Sequence, residues 1–220
     1  MNIVQPYARI MNLPERSDEA PAGIDLLTKI EWCGRISHRS EEAQTEDSWR
    51  RFIQAVVLGH GDWSIVEHAS VTVDALVDRG ISHEWVRHRL FSFTQQSTRF
   101  VNHAKKVPPE FILPETGNAY PYWLDAIEHA EQAYLNMLNA GATPQIARSV
   151  FPNALATRIV TTGNLRAWRH FLLMRTTKES HPQMREVTIS LLAEFQDKIP
   201  LLFDDIIPGE SQAKNLRLPR

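Results

Sequence analysis

The chain has 220 residues, 43% of them hydrophobic and 23% charged, with 24 basic against 26 acidic side chains and a formal net charge of −2. That composition belongs to a folded globular domain and excludes collagen-like, disordered and low-complexity chains, while the near-balance of charge removes the basic face expected of a protein that grips long nucleic acid. One cysteine, Cys33, excludes an internal disulfide framework and a cysteine-ligated metal cluster.

In chain order, Asn2 to Met11 reads as a short strand and Gly23 to Ile36 as a helix with Leu27, Ile30 and Cys33 inward. Thr45 is the expected cap of a helix in which Trp49, Phe52, Ile53, Val56 and Val57 recur at helical spacing up to Gly59. Alternation from Ala69 to Val77 predicts a half-buried strand closed by Arg79-Gly80, and Ser82 is the expected cap of a short helix through Arg89. Pro108, Pro109, Pro114 and Gly117 predict a loop, and Tyr122 to Asn139 a long helix stopped at Gly141. Thr143-Pro144 opens another short helix. Leu155 to Thr162 reads as a strand, Asn164 as the cap of a helix through Arg175, and Pro182 as the start of a last helix with Met184, Val187, Leu191, Leu192 and Phe195 inward. Residues from about 209 to 220 are expected to form a loose tail on a single domain spanning 1–220. No apolar run nears the ~20 residues of a membrane span, and the start MNIVQPYARIMNLPER has no signal-peptide core, so the expected setting is cytoplasmic, without a membrane.

The basic residues are 18 arginines and 6 lysines, and the planar arginine fork suits carboxylate, phosphate or a heterocycle edge. They concentrate in two places. Arg87 to Phe100, RHRLFSFTQQSTRF, interleaves Phe91, Phe93 and Phe100 with polar groups, so that residues such as Ser97 and Arg99 are expected to meet one ligand from a strand face. Arg148, Arg166, Arg169 and Arg175 surround a strand and a capped helix whose N-terminus favours anions. Taken alone, the first segment also reads as a solvated helix end followed by an edge strand, and Asn164 as only a cap. His60, His68, His83 and His88 lack a zinc-binding spacing, so no metal is expected. The common dinucleotide, phosphate-loop and hydrolase signatures are missing too.

These segments together resemble the flavin-dependent thymidylate synthases. That family's signature, Arg-His-Arg, seven residues, Ser, and Arg two later, is filled in register by Arg87, His88, Arg89, Ser97 and Arg99. Further motifs agree: S-x-x-E-H at Ser64 to His68, A-R-x-x-x-P at Ala147 to Pro152, T-x-N-x-R at Thr162 to Arg166 and H-F-L-x-x-R at His170 to Arg175. The resemblance implies an α/β (α+β) domain with a central mixed or antiparallel sheet flanked by helices, and a homotetramer with active sites between subunits. It implies non-covalent FAD and reductive methylation of dUMP to dTMP, with methylenetetrahydrofolate and NADPH as co-substrates. By position, Ser64, Arg87, His88, Arg89, Gln95, Asn164, Leu165, Arg166 and His170 would hold FAD. Glu84, Trp85, Val86, Arg87, Gln95, Gln96, Ser97, Thr98, Arg99, Arg148 and Arg175 would line the dUMP site, with Arg175 polarising the pyrimidine. This sequence has Asp62 where many members have a histidine, Thr94-Gln95 where some have Asn-Glu, and His170 in place of an asparagine, and Thr176 to Ser180 is longer than in some. A nucleic-acid-binding surface is the rival reading of the arginine and phenylalanine pattern, and the balanced charge speaks against it.

Overall fold

The computed structural model describes residues 1–14, 20–105 and 108–210. Its strands are β1 (Asn2–Val4), β2 (Tyr7–Ile10), β3 (Ser70–Asp78), β4 (Ser92–Gln95), β5 (Glu110–Ile112) and β6 (Ala156–Asn164). Its helices are α1 (Ile24–Ile36), α2 (Ser48–Phe52), α3 (Arg79–Trp85), α4 (Tyr120–Asn139), α5 (Pro144–Ala147), α6 (Leu165–Arg175) and α7 (Pro182–Lys198). Four strands form a sheet in the order β2-β3-β6-β4, so the RHR…STR segment enters on an edge strand, and β1 pairs in parallel with β5. Thr72 meets Thr162 and Ala69 meets Leu165, which makes β3 and β6 antiparallel. The expected mixed α/β architecture is the one observed.

The chain clusters into two compact units, 1–7 with 75–87 and 93–160, and 8–74 with 88–92 and 161–210. In the first, Phe111, Ile127 and Leu155 form a buried cluster under Trp123 and Phe151, and Tyr134 stacks on Phe151 at 4.4 Å. In the second, α7 delivers Met184, Val187, Leu191, Leu192 and Phe195 to the core as its apolar stripe predicts. Trp168, Phe195 and Phe203 continue that core as a chain of rings 5.6 and 4.7 Å apart.

Several expectations are corrected. The single N-terminal strand is two, because Gln5-Pro6 interrupts it and proline has no N–H for a ladder; the halves join different sheets. The helix from Thr45 starts later, with Asp47 at its N-cap, and after Phe52 widens into a π-helical turn, Ile53–Gly59. Thr45 does not cap it; its main chain exchanges hydrogen bonds with the Ser48 hydroxyl. Asp78, not Ser82, caps α3, accepting from Ile81 N at 2.6 Å, while Ser82 is buried inside it. The proline-rich loop carries β5. Cys33 is only half-buried on α1, whose buried face is Leu27, Ile30, Glu31 and Gly34. Of the expected tail, residues 211–220 lie outside those described, and Gly209 N–H still donates to Thr176 O at 2.8 Å.

Candidate functional site

In the first unit the end of β3 turns directly into α3, and Arg79 N–H donates to Asn153 O and Leu155 O at 2.9 and 3.0 Å, fixing where its side chain begins. That side chain borders a cavity of about 420 Å³ lined also by His83, Thr98, Gln145, Arg148 and Phe151. Arg148 is anchored by donating from Nη1 to Thr98 Oγ1 at 2.8 Å, and Arg99 is tethered beside the cavity by Nε and Nη2 donating to Gln145 Oε1 at 3.3 and 3.2 Å. No carboxylate lines it among the described residues. Burial, and after it the neighbouring Arg148 guanidinium, press Arg79 below the usual arginine value. Two cations held at one cavity without an acid are the condition for binding an anion.

Residues 97–100 leave the strand and enter a turn in which Ser97 Oγ accepts from Arg99 N at 3.2 Å, so Ser97 and Arg99 do not share a strand face. Phe100 is 76% exposed and anchors nothing, with Arg99 5.4 Å from its ring. Gln95 Nε2 donates to Ser82 Oγ and Thr157 Oγ1, and Gln96 Oε1 accepts from Arg158 N. Trp85 is fully buried, which leaves its main chain alone for a ligand, and Val86 N–H is taken by Ser82 O. Glu84 is half-buried and Arg87 exposed.

The second unit holds the other cluster. Asn164, capping α6 by accepting from Ala167 N at 2.8 Å, sets the phase of the helix that carries Arg166, His170 and Arg175. Leu165 is buried and its N–H donates to Ala69 O, so it seats the helix rather than offering a side chain. Arg175 Nε donates to His88 Nε2 at 2.9 Å, and Thr188 Oγ1 donates to Arg175 O at 3.0 Å. His88 packs edge-on against Phe171 at 4.8 Å and lies 6.1 Å from the His170 ring. Burial, then Arg175, then His170 lower its pKa to about 4, so at neutral pH it is an uncharged acceptor for Arg175. Arg166 pairs with Glu67 at 2.6 Å at the surface, and Arg89 is exposed. Ser64 sits in the 3-10 helix Trp63–His68 that precedes β3.

Arg79, His83 and Gln145 were missed by sequence reasoning. The one local signal was Arg79 in the first turn of a helix, where a cation has the wrong sign for the helix dipole and so calls for another reason.

The first unit thus carries a cavity bordered by Arg79 and Arg148 with no carboxylate among the described residues, and the second, taken by itself, holds Arg175 on the His88 ring, both on a mixed α/β frame. The chain belongs to the flavin-dependent thymidylate synthase family: the family model described as thymidylate synthase complementing protein matches residues 25–201. It is 35% identical over 208 residues to the flavin-dependent thymidylate synthase of Corynebacterium aurimucosum, covering 86% of this chain and 82% of the relative. It is 33% identical over 215 residues to that of Mycobacteroides abscessus, covering 84% of each. The fold matches that of the UMP/dUMP methylase PolB from Streptomyces cacaoi, solved with 5-Br dUMP, at a TM-score of 0.75 and 20% identity over 93% of this chain and 96% of that one.

Proposed function

We propose that the protein catalyses reductive methylation of dUMP to dTMP in thymidylate biosynthesis, taking the carbon from methylenetetrahydrofolate and the electrons from NADPH through FAD. The observation that supports the reading is a cavity with no carboxylate lining it among the described residues, bordered by Thr98 and the motif residue Arg148, with the signature residue Arg99 tethered beside it. The residues fit a flavin dinucleotide as well. Exposed His170 and Arg89, the half-buried His88 ring and the Arg166 guanidinium offer flat faces and cations on one unit, as an aromatic diphosphate requires. When bound, the flavin supplies hydride-carrying chemistry.

The chain supplies position and charge. Arg148 and Arg99 hold the substrate phosphate. Arg175, its plane fixed through Nε by His88, stabilises negative charge that develops on the pyrimidine as C5 becomes nucleophilic. Cys33 lies on α1 outside every motif, and Ser97 Oγ is engaged with Arg99 N–H in its own turn, so neither is an activated nucleophile and the pyrimidine reacts without a bond to the protein. Ser64, Arg87, His88, Arg89, Gln95, Asn164, Leu165, Arg166 and His170 serve FAD. Glu84, Trp85, Val86, Arg87, Gln95, Gln96, Ser97, Thr98, Arg99, Arg148 and Arg175 serve dUMP. We extend the proposal to one catalytic domain, a homotetramer with active sites between subunits, and a cytoplasmic setting without nucleic-acid or membrane partners; among the described residues no helix is long and apolar enough to cross a membrane.

The test is tritium release from 5-tritiated dUMP with FAD, NADPH and methylenetetrahydrofolate, omitting each in turn. Release that requires all of them is expected; release that persists without a reductant contradicts the reading.

A further inference from the structure

We infer that Thr188 is a positioning residue for Arg175: its hydroxyl, reaching across from α7, pins the main chain of the last residue of α6 and so sets where the Arg175 guanidinium stands when the pyrimidine reacts. The inference rests on the reading of Arg175 as the group that meets the pyrimidine, and it adds a residue outside every motif.

Arg175 ends α6, and the carbonyls of a helix's last turn lie beyond its own ladder and must be satisfied from outside. Side-chain hydroxyls and one N–H do so here. Thr176 Oγ1 donates to Leu172 O at 2.8 Å, Thr177 Oγ1 and Ser180 Oγ donate to Met174 O at 3.3 and 3.2 Å, and Gly209 N–H donates to Thr176 O at 2.8 Å. The bond to Arg175 O comes from a different helix, from Thr188 Oγ1 at 3.0 Å.

Thr188 is fully buried. A helical threonine ordinarily turns its hydroxyl back on its own helix, and Thr188 Oγ1 does lie 2.8 Å from Met184 O. Met184 O sits inside α7, however, where the ladder N–H four residues on serves it. Arg175 O receives no such N–H from α6, which stops at that residue. The single hydroxyl proton therefore matters most at Arg175 O, where it ties one helix to the other.

Helix ends fray, and a side chain on the terminal residue moves with its main chain. The far part of the Arg175 side chain is already held, since Nε donates to His88 Nε2 at 2.9 Å. With Thr188 on the main chain and His88 on Nε, the side chain is fixed at both ends, as stabilisation of charge that appears only in the transition state requires.

The experiment follows dTMP formation in a single turnover of reduced, FAD-loaded protein with dUMP and methylenetetrahydrofolate, with the rate expressed per bound flavin. It compares wild type, Thr188→Val, Thr188→Ala, Thr188→Ser, Arg175→Ala and the Thr188→Val/Arg175→Ala double variant. Thr28→Val is the control, because it removes a hydroxyl bond of the same kind inside α1, Thr28 Oγ1 to Ile24 O at 3.0 Å. Thr188→Val and Thr188→Ala are expected to keep their flavin and to slow about five- to tenfold, the value of one neutral hydrogen bond, while Thr188→Ser and Thr28→Val stay near wild type. Added to Arg175→Ala, Thr188→Val should cost nothing further, since a residue that acts through Arg175 has nothing left to position. A purely structural role predicts instead that the two losses multiply, and that result overturns the inference. So does a wild-type rate in Thr188→Val, or failure of both the valine and the alanine variants to give flavin-loaded protein; each leaves the dUMP reaction standing. A wild-type rate in Arg175→Ala overturns the roles of both residues, and a wild type that forms no dTMP overturns the reaction as well.

Discussion

Arg169, one position before His170 and outside any motif, belongs in the sequence to the group of arginines set around the anion-favouring end of α6. The structure assigns it a different fate. Its Nη1 donates to Leu202 O and Asp205 Oδ1 at 2.6 Å each, Nη2 donates to Asp205 Oδ2, and its guanidinium lies 4.6 Å from the Trp63 ring. Arg169→Ala strands the carbonyl of fully buried Leu202, at about 2 kcal/mol, and removes the ring contact, at about 1 kcal/mol. The Asp205 carboxylate, 59% exposed, returns to water and adds little. The total of about 3 kcal/mol corresponds to a drop of roughly 1.5 M in the urea midpoint for a slope of about 2 kcal/mol/M. The assay is urea unfolding at fixed protein concentration and without added ligand, because ligands that bind only the folded state shift the midpoint. A drop below about 0.3 M would refute the assignment of these contacts as structural.

Other outcomes follow from the same geometry. His88, whose pKa falls to about 4 in the fold, takes up its proton more readily when unfolded, so stability should fall as pH drops from about 6.5 to 4 and stay flat above. Allowing for partial solvent screening the loss is on the order of 1 kcal/mol, and His88→Asn should flatten that part of a stability-against-pH curve; an unchanged slope sinks the assignment. A Cβ at Gly163 would overlap Cδ1 and Cε1 of Phe91, whose ring is packed 4.6 Å from Trp168, so Gly163→Ala should cost about 1 to 3 kcal/mol in the same unfolding assay, and a neutral result would mean that Phe91 moves freely. Cys33→Ala should keep most turnover and Ser97→Ala weaken it without abolishing it; a dUMP adduct trapped on either side chain by mass spectrometry would overturn the non-covalent route.

What the sequence revealed was what local chemistry decides. Asn164 as cap, Arg175 at the end of α6, Pro182 opening α7 and the apolar stripe behind it were all legible, because capping and helical periodicity need only neighbours a few residues away. The widening at Ile53–Gly59 was not, since the apolar residues still recur at spacings that an ordinary helix would give. Long-range partners were also invisible. Arg169 meets Asp205 across 36 residues and Arg175 meets His88 across 87, and in both cases the sequence showed an arginine without showing what it touches. The cavity that Arg79 borders was hidden for the same reason: its other walls come largely from residues between 145 and 155.

The account's central claim, that Arg175 acts on the pyrimidine and not on the flavin, is tested most directly by a single turnover. Reduced, FAD-loaded protein is mixed with dUMP and methylenetetrahydrofolate, and flavin oxidation and dTMP are followed together in wild type and Arg175→Ala. Wild type should form dTMP in step with flavin oxidation, while Arg175→Ala should retain its flavin and form dTMP roughly 100-fold more slowly or worse, as removal of a charge-stabilising donor does. An Arg175→Ala protein that keeps the wild-type rate, or that loses its flavin and regains the full rate once FAD is added in excess, would contradict the claim.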